Sequence, residues 1–265
     1  MGLGKGALPW FEADATRLHF EEHGRGDHVL VLPGVTERAE DIGNLIDALA
    51  SRFRVIAPDL PGSGRSEPIP RAYAADFYQR DADMMAALLA HLGVARAHVA
   101  GFSDGGEVAL LLAVQHPEVA RSLLVWGAAG RLFPELAPVL DAIYDAVDTR
   151  SGNWASFGEQ VKKRYGAPAG REMLHGWVAA SRAILAEGGD ISFSRAHEIR
   201  CPVLLLAGEH DAFCPPARMR ELVGRIPRAE LIQVEGGGHA LHDEQPRWFV
   251  ARALHWLGRQ SGRVP

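Results

Sequence analysis

The chain has 265 residues, of which 47% are hydrophobic and 23% are charged, proportions that are ordinary for a globular enzyme. Its formal net charge of −5 at pH 7 gives no basic surface for nucleic acid, so we expect a small-molecule partner. Two cysteines, Cys201 and Cys214, are too few for a disulfide framework and lie outside any metal-binding spacing. We expect both to be reduced thiols, and we expect no metal and no cofactor.

The N-terminal segment lacks the apolar run of a signal peptide, and no stretch reaches the roughly 18 uninterrupted apolar residues of a membrane span. The sequence therefore predicts a soluble, cytoplasmic protein with no membrane partner. No Gly/Ser or Pro-rich linker divides the chain, so its length favours one large α/β domain with an insertion. Nothing in the sequence indicates the oligomeric state.

Strand-like and helix-like segments alternate through most of the chain, a pattern that builds a mostly parallel sheet with helices on both faces. The predicted strands, in chain order, are 10–13, 17–22, 28–32, 53–57, 97–102, 122–126, 203–206 and 231–234. The predicted helices outside the insertion are 42–49, 74–92, 107–116, 216–223 and 248–257. In the first helix the apolar positions Ile42, Leu45, Ile46 and Leu49 share one face. In the second the predicted apolar stripe is Phe77, Met84, Leu88 and Leu92.

The segment GFSDGG, residues 101–106, places Ser103 between a predicted buried strand and a predicted apolar helix. A tight strand-to-helix turn needs residues without Cβ bulk around a strained serine, whose hydroxyl is then exposed at the end of the sheet. A serine between glycines is also common in ordinary turns. Because strand, turn and helix follow one another without a gap, we predict that Ser103 is a nucleophile.

A serine nucleophile needs a base to take its proton and a third group to hold that base in the correct tautomer. In this order of elements, both should follow the C-terminal ends of later strands. Asp211 ends the sequence GEHD just after strand 203–206, and His239 follows three glycines after strand 231–234. We assign Asp211 as the orienting acid and His239 as the general base. Neighbouring alternatives are Glu209 and His210 for the acid, and His242 for the base.

Attack on a carbonyl also needs hydrogen-bond donors for the developing oxyanion. One donor should be the backbone N–H of Asp104, directly after the nucleophile. The other should come from the loop after strand 28–32, most simply the N–H of Val35, since Pro33 has no N–H to donate. A Pro-Gly pair is also an ordinary turn, and only its place after that strand suggests this role.

The side chain of Asp104 allows two interpretations. A carboxylate in the first turn of a helix is favoured by the macrodipole by roughly 0.3 to 1 kcal/mol, and this effect alone would account for an acid at this position. The same carboxylate starts beside the site of the acyl carbon, where it would attract a cationic group. Amino-acid esters or amides with an α-ammonium group would then be preferred.

About seventy residues separate strands 122–126 and 203–206, far more than an ordinary connection. The periodicity of this segment is helical, and we predict a helical cap (lid) over 131–195, with 1–130 and 196–265 forming the core. Its aromatic residues suit helix packing and also a lid over a pocket. The predicted substrate-binding residues are Asp104, Trp126 and Trp177.

Five motifs make the chain resemble the α/β-hydrolase fold family over nearly its whole length. They stand in the family's order: Leu32-Pro33-Gly34, PDLPGSGRS at 58–66, GFSDGG at 101–106, GEHD at 208–211 and Gly238-His239. The resemblance implies a mostly parallel eight-stranded sheet flanked by helices, with a helical cap. The chain departs from many members of the family at Pro33, where they carry histidine.

Within that family, three segments resemble the biphenyl hydrolase-like, valacyclovir hydrolase branch: GFSDGG, VWGA at 125–128, and ADFYQRDADMMAALL at 75–89. This resemblance implies a serine hydrolase for α-amino-acid esters, in which Asp104 meets the amino group of the substrate. The cap sequence matches poorly, so the resemblance implies no leaving-group preference.

The leading hypothesis is an esterase or amidase in which Ser103 forms an acyl-enzyme with a small-molecule ester or amide, His239 transfers protons and water releases the acid. Hydrolysis of carbon–carbon bonds, thioesters or lactones would use the same triad. A cofactor-free oxygenase or lyase, or a ligand-binding protein without catalysis, belongs to a different class, because fold does not fix function. The intact set of Ser103, Asp211 and His239 argues against a non-catalytic protein.

Overall fold

The structure, a computed structural model, describes residues 10–13, 15–149, 152 and 154–262. The first nine residues, which bear on the signal-peptide prediction, lie outside this part of the chain. The strands are β1 Trp10–Ala13, β2 Thr16–Gly24, β3 His28–Leu32, β4 Arg54–Pro58, β5 Ala97–Phe102, β6 Ala120–Trp126, β7 Val203–Gly208 and β8 Ala229–Val234. The α-helices are α1 Gly43–Ala50, α2 Phe77–His91, α3 Asp104–Gln115, α4 Ala137–Tyr144, α5 Ala155–Tyr165, α6 Ala167–Ala186, α7 Pro216–Val223, α8 Leu241–Glu244 and α9 Pro246–Gln260.

The eight strands form one sheet in the order β1-β2-β4-β3-β5-β6-β7-β8. β1 pairs antiparallel with β2, and β2 pairs antiparallel with β4. All other pairs are parallel. This arrangement confirms the predicted α/β fold with a mostly parallel eight-stranded sheet.

Alternating side chains of the strands supply two hydrophobic cores, one on each face of the sheet. In β3, Leu30 and Leu32 belong to the core that α2 and α3 cover, whereas Val29 and Val31 belong to the core that α1 and α9 cover. All six residues of β5 are buried. The strand that leads to Ser103 is therefore held rigidly between two packed layers.

The buried face of α2 differs from the predicted stripe. Phe77 and Leu88 are buried as predicted, but Met84 and Leu92 are only half-buried. Asp81 instead faces the core, where its carboxylate accepts a hydrogen bond of 2.7 Å from Nη1 of Arg71. Burial raises the pKa of Asp81 to about 6, although the Arg71 guanidinium opposes the shift. Asp81 can occupy the buried face of α2 because Arg71, in a loop ten positions earlier, is its ionic partner.

The long insertion between β6 and β7 is helical, as its periodicity predicts. Residues 131–195, called the cap segment below, contain α4, α5 and α6, and both α4 and α5 pack against α6. The division of the chain into a core and a separate cap stays a prediction.

The two cysteines form no disulfide, as the sequence predicts. Cys201 and Cys214 are free and buried, and burial raises the pKa of Cys201 to about 11. Within the described ranges, no three His, Cys, Asp or Glu side chains are grouped so that they could hold a metal ion. None of the helices in that same part of the chain combines the length and the hydropathy that a membrane crossing requires.

Candidate active site

Ser103 lies at a sharp turn between the end of β5 and the start of α3. Its backbone has φ 52° and ψ −119°, a conformation that is costly for a residue with a side chain. The N–H of Ser103 donates to the carbonyl of Trp126 at the end of β6, at 2.9 Å. The neighbouring strand therefore holds the strained residue in place.

Two glycines make this turn sterically feasible, because the backbones of neighbouring elements approach them closely. A Cβ atom on Gly101 would lie 2.3 Å from the carbonyl oxygen of Gly105, and one on Gly105 would lie 2.4 Å from that of Leu32. Real Cβ atoms do not come this close to a backbone oxygen. The predicted G-x-S-x-G geometry thus depends on both glycines for close packing of α3 on β5 and β3.

A continuous chain of hydrogen bonds links Ser103, His239 and Asp211. Nε2 of His239 lies 3.1 Å from Oγ of Ser103, and Nδ1 of His239 lies 2.9 Å from both carboxylate oxygens of Asp211. These residues come from three loops that follow β5, β7 and β8, all at the C-terminal end of the parallel strands. The sheet thus brings together the three residues that the sequence singled out.

The carboxylate of Asp211 is held in its ionised form. Its side chain is only 1% exposed, and its Oδ1 also accepts hydrogen bonds from the N–H groups of Phe213 and Cys214. Burial alone would raise the pKa of Asp211, but the attraction of His239 and these hydrogen bonds outweigh burial and lower it. An ionised Asp211 fixes the orientation and the tautomer of the His239 ring.

The residues that the sequence offered as alternative acid or base lie outside the hydrogen-bonded chain of Ser103, His239 and Asp211. Glu209 and His210 are exposed, and Glu209 accepts a hydrogen bond from the N–H of Gly236. His242 is buried in α8, where its Nδ1 accepts a hydrogen bond of 3.0 Å from Nε1 of Trp126. Burial lowers the pKa of His242. None of the three forms a hydrogen bond with Ser103.

The backbone amides beside Ser103 differ in whether they have partners. The N–H of Gly34 donates to the carboxyl group of Glu37 at 2.8 Å, so it is already engaged. In the described structure, no carbonyl or side chain accepts from the N–H of Val35 or of Asp104. Both residues line the cavity next to Ser103. The two amides predicted as oxyanion donors therefore both lack a protein acceptor among the described residues.

The side chain of Asp104 is buried, with 7% of its surface exposed, and is held from both sides. The hydroxyl of Tyr78 donates to Oδ1 at 2.8 Å, and the indole N–H of Trp177 donates to Oδ2 at 2.9 Å. Burial raises the pKa of Asp104 to about 6, although these two hydrogen bonds oppose the shift. The carboxylate is therefore ionised above about pH 6, although its side chain is almost fully buried.

A cavity of about 280 Å³ lies over Ser103 and His239. The cap segment contributes mainly apolar side chains to its wall: Leu132, Leu136, Leu140, Ile143, Trp154 and Phe157. Trp177 also lines it, so the structure puts this predicted substrate-binding residue at the cavity. The cavity suits a small, largely apolar group next to the serine.

Trp126 lies elsewhere, and the structure gives no support to its predicted contact with substrate. Its side chain is fully buried and is not part of the cavity wall. The ring packs instead against Phe102, His242 and Phe249 in the core beneath the site. Because Trp126 ends β6 on the face covered by α9, its ring points away from the cavity.

The loop after β3 is tied to the cap segment at Thr36, a non-glycine residue with φ 62°. The carbonyl of Thr36 accepts hydrogen bonds from the hydroxyl of Tyr165 at 2.7 Å and from Nη1 of Arg164 at 2.6 Å. The Tyr165 hydroxyl in turn accepts from the N–H of Gly64. The C-terminal end of α5 therefore holds the loop that carries Val35.

Three acidic residues of the cavity wall were missed by the sequence reasoning, namely Glu37, Glu107 and Glu244. Burial raises the pKa of Glu37 to about 8, against its hydrogen bond from Gly34. Glu37 stands in a polar loop, where one more acid gives no signal. Glu107 does carry a signal, because it is the only charged residue in the otherwise apolar run from Glu107 to Gln115.

A strained serine turn of this kind, on the C-terminal end of a mostly parallel sheet, defines an α/β protein of the hydrolase class. The chain belongs to the alpha/beta hydrolase family, whose model matches residues 23–252. The family resemblance drawn from the motifs is thereby confirmed.

Individual relatives agree with this class. The chain is 29% identical over 237 residues to the serine hydrolase BPHL of Homo sapiens, a match that covers 86% of this chain and 79% of the relative. It is 29% identical over 265 residues to the putative carbamate hydrolase RutD of Caulobacter vibrioides, covering 91% and 95%. A solved structure, a thermophilic esterase from Thermogutta terrifontis, is similar with a TM-score of 0.72 and 27% identity, covering 92% and 94%. Hydrolysis is the activity class that these similarities support.

Proposed function

We propose that the protein is a serine hydrolase that cleaves small carboxylic esters through an acyl-enzyme. The observation that carries the proposal is the hydrogen-bonded chain from Asp211 through His239 to Ser103, at the floor of a largely apolar cavity. Amide hydrolysis would use the same groups. The substrate is a small molecule, and neither a metal nor a cofactor takes part in these steps.

In the first half of the reaction, Oγ of Ser103 attacks the carbonyl carbon while Nε2 of His239 takes its proton. The tetrahedral intermediate then expels the alcohol, which leaves with that proton from His239, and the acyl group remains on Ser103. In the second half, His239 takes a proton from water, and the resulting hydroxide attacks the acyl-enzyme. Return of the proton to Oγ releases the acid and restores the free serine.

The N–H groups of Val35 and Asp104 are the proposed oxyanion donors. The N–H of Asp104 sits at the N-terminus of α3, where the helix dipole also favours negative charge. Val35 belongs to the loop that Thr36 ties to the cap segment, so the second donor is held by tertiary contacts. Loss of one such donor typically raises the barrier by about 2.7 to 4 kcal/mol.

The carboxylate of Asp104 favours acyl groups that carry an α-ammonium group. A carboxylate has about four acceptor positions, and Tyr78 and Trp177 use two of those on Asp104. Asp104 lines the cavity beside the nucleophile, so an α-ammonium group on a bound acyl group would meet one of the remaining positions. The indole of Trp177 both orients this carboxylate and offers an apolar surface to the substrate.

The hydrolase proposal is tested by labelling with a fluorophosphonate that reacts with activated serines. We expect stoichiometric labelling of the wild type and none of Ser103→Ala. Ser51→Ala, which removes an exposed serine hydroxyl at the end of α1, is the matched control and should label normally. A wild type that resists labelling while folded would contradict the proposal.

The α-ammonium preference is tested with 2-aminobutyryl and butyryl esters of the same alcohol. The wild type should show the higher kcat/KM with the amino ester. The isosteric variant Asp104→Asn should lower the kcat/KM ratio of the amino ester to the butyryl ester about tenfold, because a charged hydrogen bond is worth roughly 1.5 to 3 kcal/mol. If the ratio is the same in both proteins, Asp104 serves only as a helix-terminal carboxylate.

A further inference from the structure

Glu107 is a buried carboxyl group with only one of its two oxygens engaged. It lies on α3, one turn after Ser103, and 5% of its surface is exposed. Its Oε1 accepts hydrogen bonds from the N–H groups of Ala129 and Gly130, at 2.9 and 3.0 Å. Its Oε2 is buried and has no hydrogen-bond partner in the described parts of the chain. Buried acceptors without a partner are rare and costly, so this oxygen calls for a donor.

The surroundings of Glu107 favour a positively charged donor. The charged groups that act on it most strongly are Asp104 and Asp190, and both are anionic. Arg71, a cation that acts on Asp104, is already bonded to Asp81 at 2.7 Å. Arg131 also lines the cavity, but its guanidinium lies over the rings of Phe133 and Phe193. Among the described residues, no ion pair neutralises either Asp104 or Glu107. Two buried carboxyl groups thus share one wall of a largely apolar cavity.

The position of Glu107 sets which part of a ligand it would meet. Glu107 lines the same cavity as Ser103 and Asp104. It follows Asp104 by three residues on one helix, which places its backbone about 4.5 Å farther along the helix axis, away from the end that carries the nucleophile. A group that reaches Glu107 therefore stands several bonds beyond the α-carbon of an acyl chain bound at Ser103.

We propose that Glu107 is a specificity-determining residue whose Oε2 binds an ammonium group on the γ-carbon, or farther, of the acyl chain. The proposal rests on the proposed ester hydrolysis and extends it: Asp104 serves α-amino acyl groups, and Glu107 serves acyl groups with a distal amine. Burial raises the pKa of Glu107 to about 7, and a bound cation would return the carboxyl group to its ionised form.

A purely structural role is the competing explanation for Glu107. Its Oε1 ties α3 to the loop after β6, and in that loop Gly127 packs closely against the ring of His239. The variant Glu107→Gln separates the two roles. The amide oxygen of glutamine can accept the same two backbone hydrogen bonds, but an NH₂ group replaces Oε2 and repels a cation.

The experiment compares butyryl, 2-aminobutyryl, 4-aminobutyryl and 4-hydroxybutyryl esters of one alcohol, each corrected for its rate without enzyme. In the wild type, kcat/KM for the 4-aminobutyryl ester should exceed that for the butyryl ester. Glu107→Gln should lower this ratio about tenfold, whereas Asp104→Asn should lower mainly the ratio for the 2-aminobutyryl ester. A wild type that prefers butyryl, or a Glu107→Gln variant that slows both esters equally, overturns the proposal. An equal gain with the 4-hydroxybutyryl ester overturns its cationic part.

A binding measurement keeps the inference separate from the hydrolase proposal. Thermal unfolding of Ser103→Ala is followed with 4-aminobutanamide and with butanamide, neither of which depends on turnover. The amine should raise Tm more than butanamide does, and the difference should vanish in the double variant with Glu107→Gln. Equal Tm values with both amides would contradict the ammonium site even if esters are cleaved. If no ester is cleaved but the amine still raises Tm, the hydrolase proposal fails and the ammonium site stands.

Discussion

The carboxyl groups around Ser103 show how one site can hold acids in different states. Asp211 receives hydrogen bonds from backbone N–H groups and from His239, and its pKa is lowered. Asp104 and Glu107 are buried with weaker compensation, and their pKa values rise to about 6 and about 7. The donors around each group, rather than its residue type, decide whether it is a fixed anion or a titratable one.

The titration of Asp104 predicts a pH-dependent selectivity. A raised pKa means that Asp104 loses its proton only as pH rises through about 6, so the kcat/KM ratio of 2-aminobutyryl to butyryl ester should increase from about pH 5 to about pH 7. Both esters depend alike on His239, and the ratio cancels that dependence. Asp104→Asn is the control and should give a flat ratio; a flat ratio in the wild type would refute the assignment.

Asp211→Asn should leave the fold intact and remove most of the activity. The amide can no longer stabilise a protonated His239, and it favours the wrong tautomer of the ring. We expect kcat to fall by about 10⁴, measured with the butyryl ester by steady-state kinetics. Glu209→Gln changes an exposed neighbouring acid and should keep kcat within a factor of about two. A comparable loss of kcat in Glu209→Gln would contradict the assignment of Asp211 as the orienting acid.

At the scale of elements, hydrophobic periodicity predicts which helices and strands form, but it does not predict their tertiary partners. The four apolar positions of the first predicted helix are all buried, whereas the buried face of α2 includes Asp81 and leaves Met84 and Leu92 half-buried. The buried Asp81 is paired with Arg71, a residue from a loop that periodicity cannot assign to it. For the same reason the bonds of Tyr78 and Trp177 to Asp104 are visible only in the folded chain.

The close packing of α3 on the sheet predicts a large difference between two glycine substitutions. Gly105→Ala places a Cβ atom 2.4 Å from the Leu32 oxygen, whereas one on Gly43, at the start of α1, meets nothing within 4 Å. We expect Gly105→Ala to lower the free energy of unfolding by about 3 kcal/mol, since overpacking costs about 1 to 3 kcal/mol or more. Gly43→Ala should be neutral or stabilising by up to about 1 kcal/mol. Urea denaturation measures both, and equal stabilities would contradict the packing.

The link between α5 and the loop after β3 gives a prediction for the cap segment. Tyr165→Phe removes the hydrogen bonds to Gly64 and Thr36, and it should lower the free energy of unfolding by about 1 to 3 kcal/mol. It should also lower kcat, because the loop carries Val35. Tyr144→Phe, on an exposed tyrosine of α4, is the control and should stay within about 0.5 kcal/mol of the wild type. An unchanged kcat in Tyr165→Phe would show that this link does not position the loop.

At the scale of the whole molecule, the order of motifs along the chain predicts the fold and the family, because parallel strands bring their C-terminal ends to one edge. The proximity of Ser103, Asp211 and His239 could be predicted this way from the sequence alone, and their catalytic roles stay a prediction. The walls of the cavity could not, because the cap segment folds back over the sheet through contacts that no motif encodes. Trp126 shows what motif order does not predict, namely the direction in which a side chain points. This aromatic residue lies next to a motif, but its side chain is buried in the core.

The most direct test of the account is the chemical identity of the intermediate. The wild type is mixed with an activated butyryl ester, quenched in acid within milliseconds, and analysed by intact-protein mass spectrometry and peptide mapping. We expect a single butyryl adduct on Ser103, which disappears on longer incubation and never forms in Ser103→Ala. An adduct on another residue, or undiminished turnover by Ser103→Ala, would contradict the central claim that this chain hydrolyses esters through Ser103.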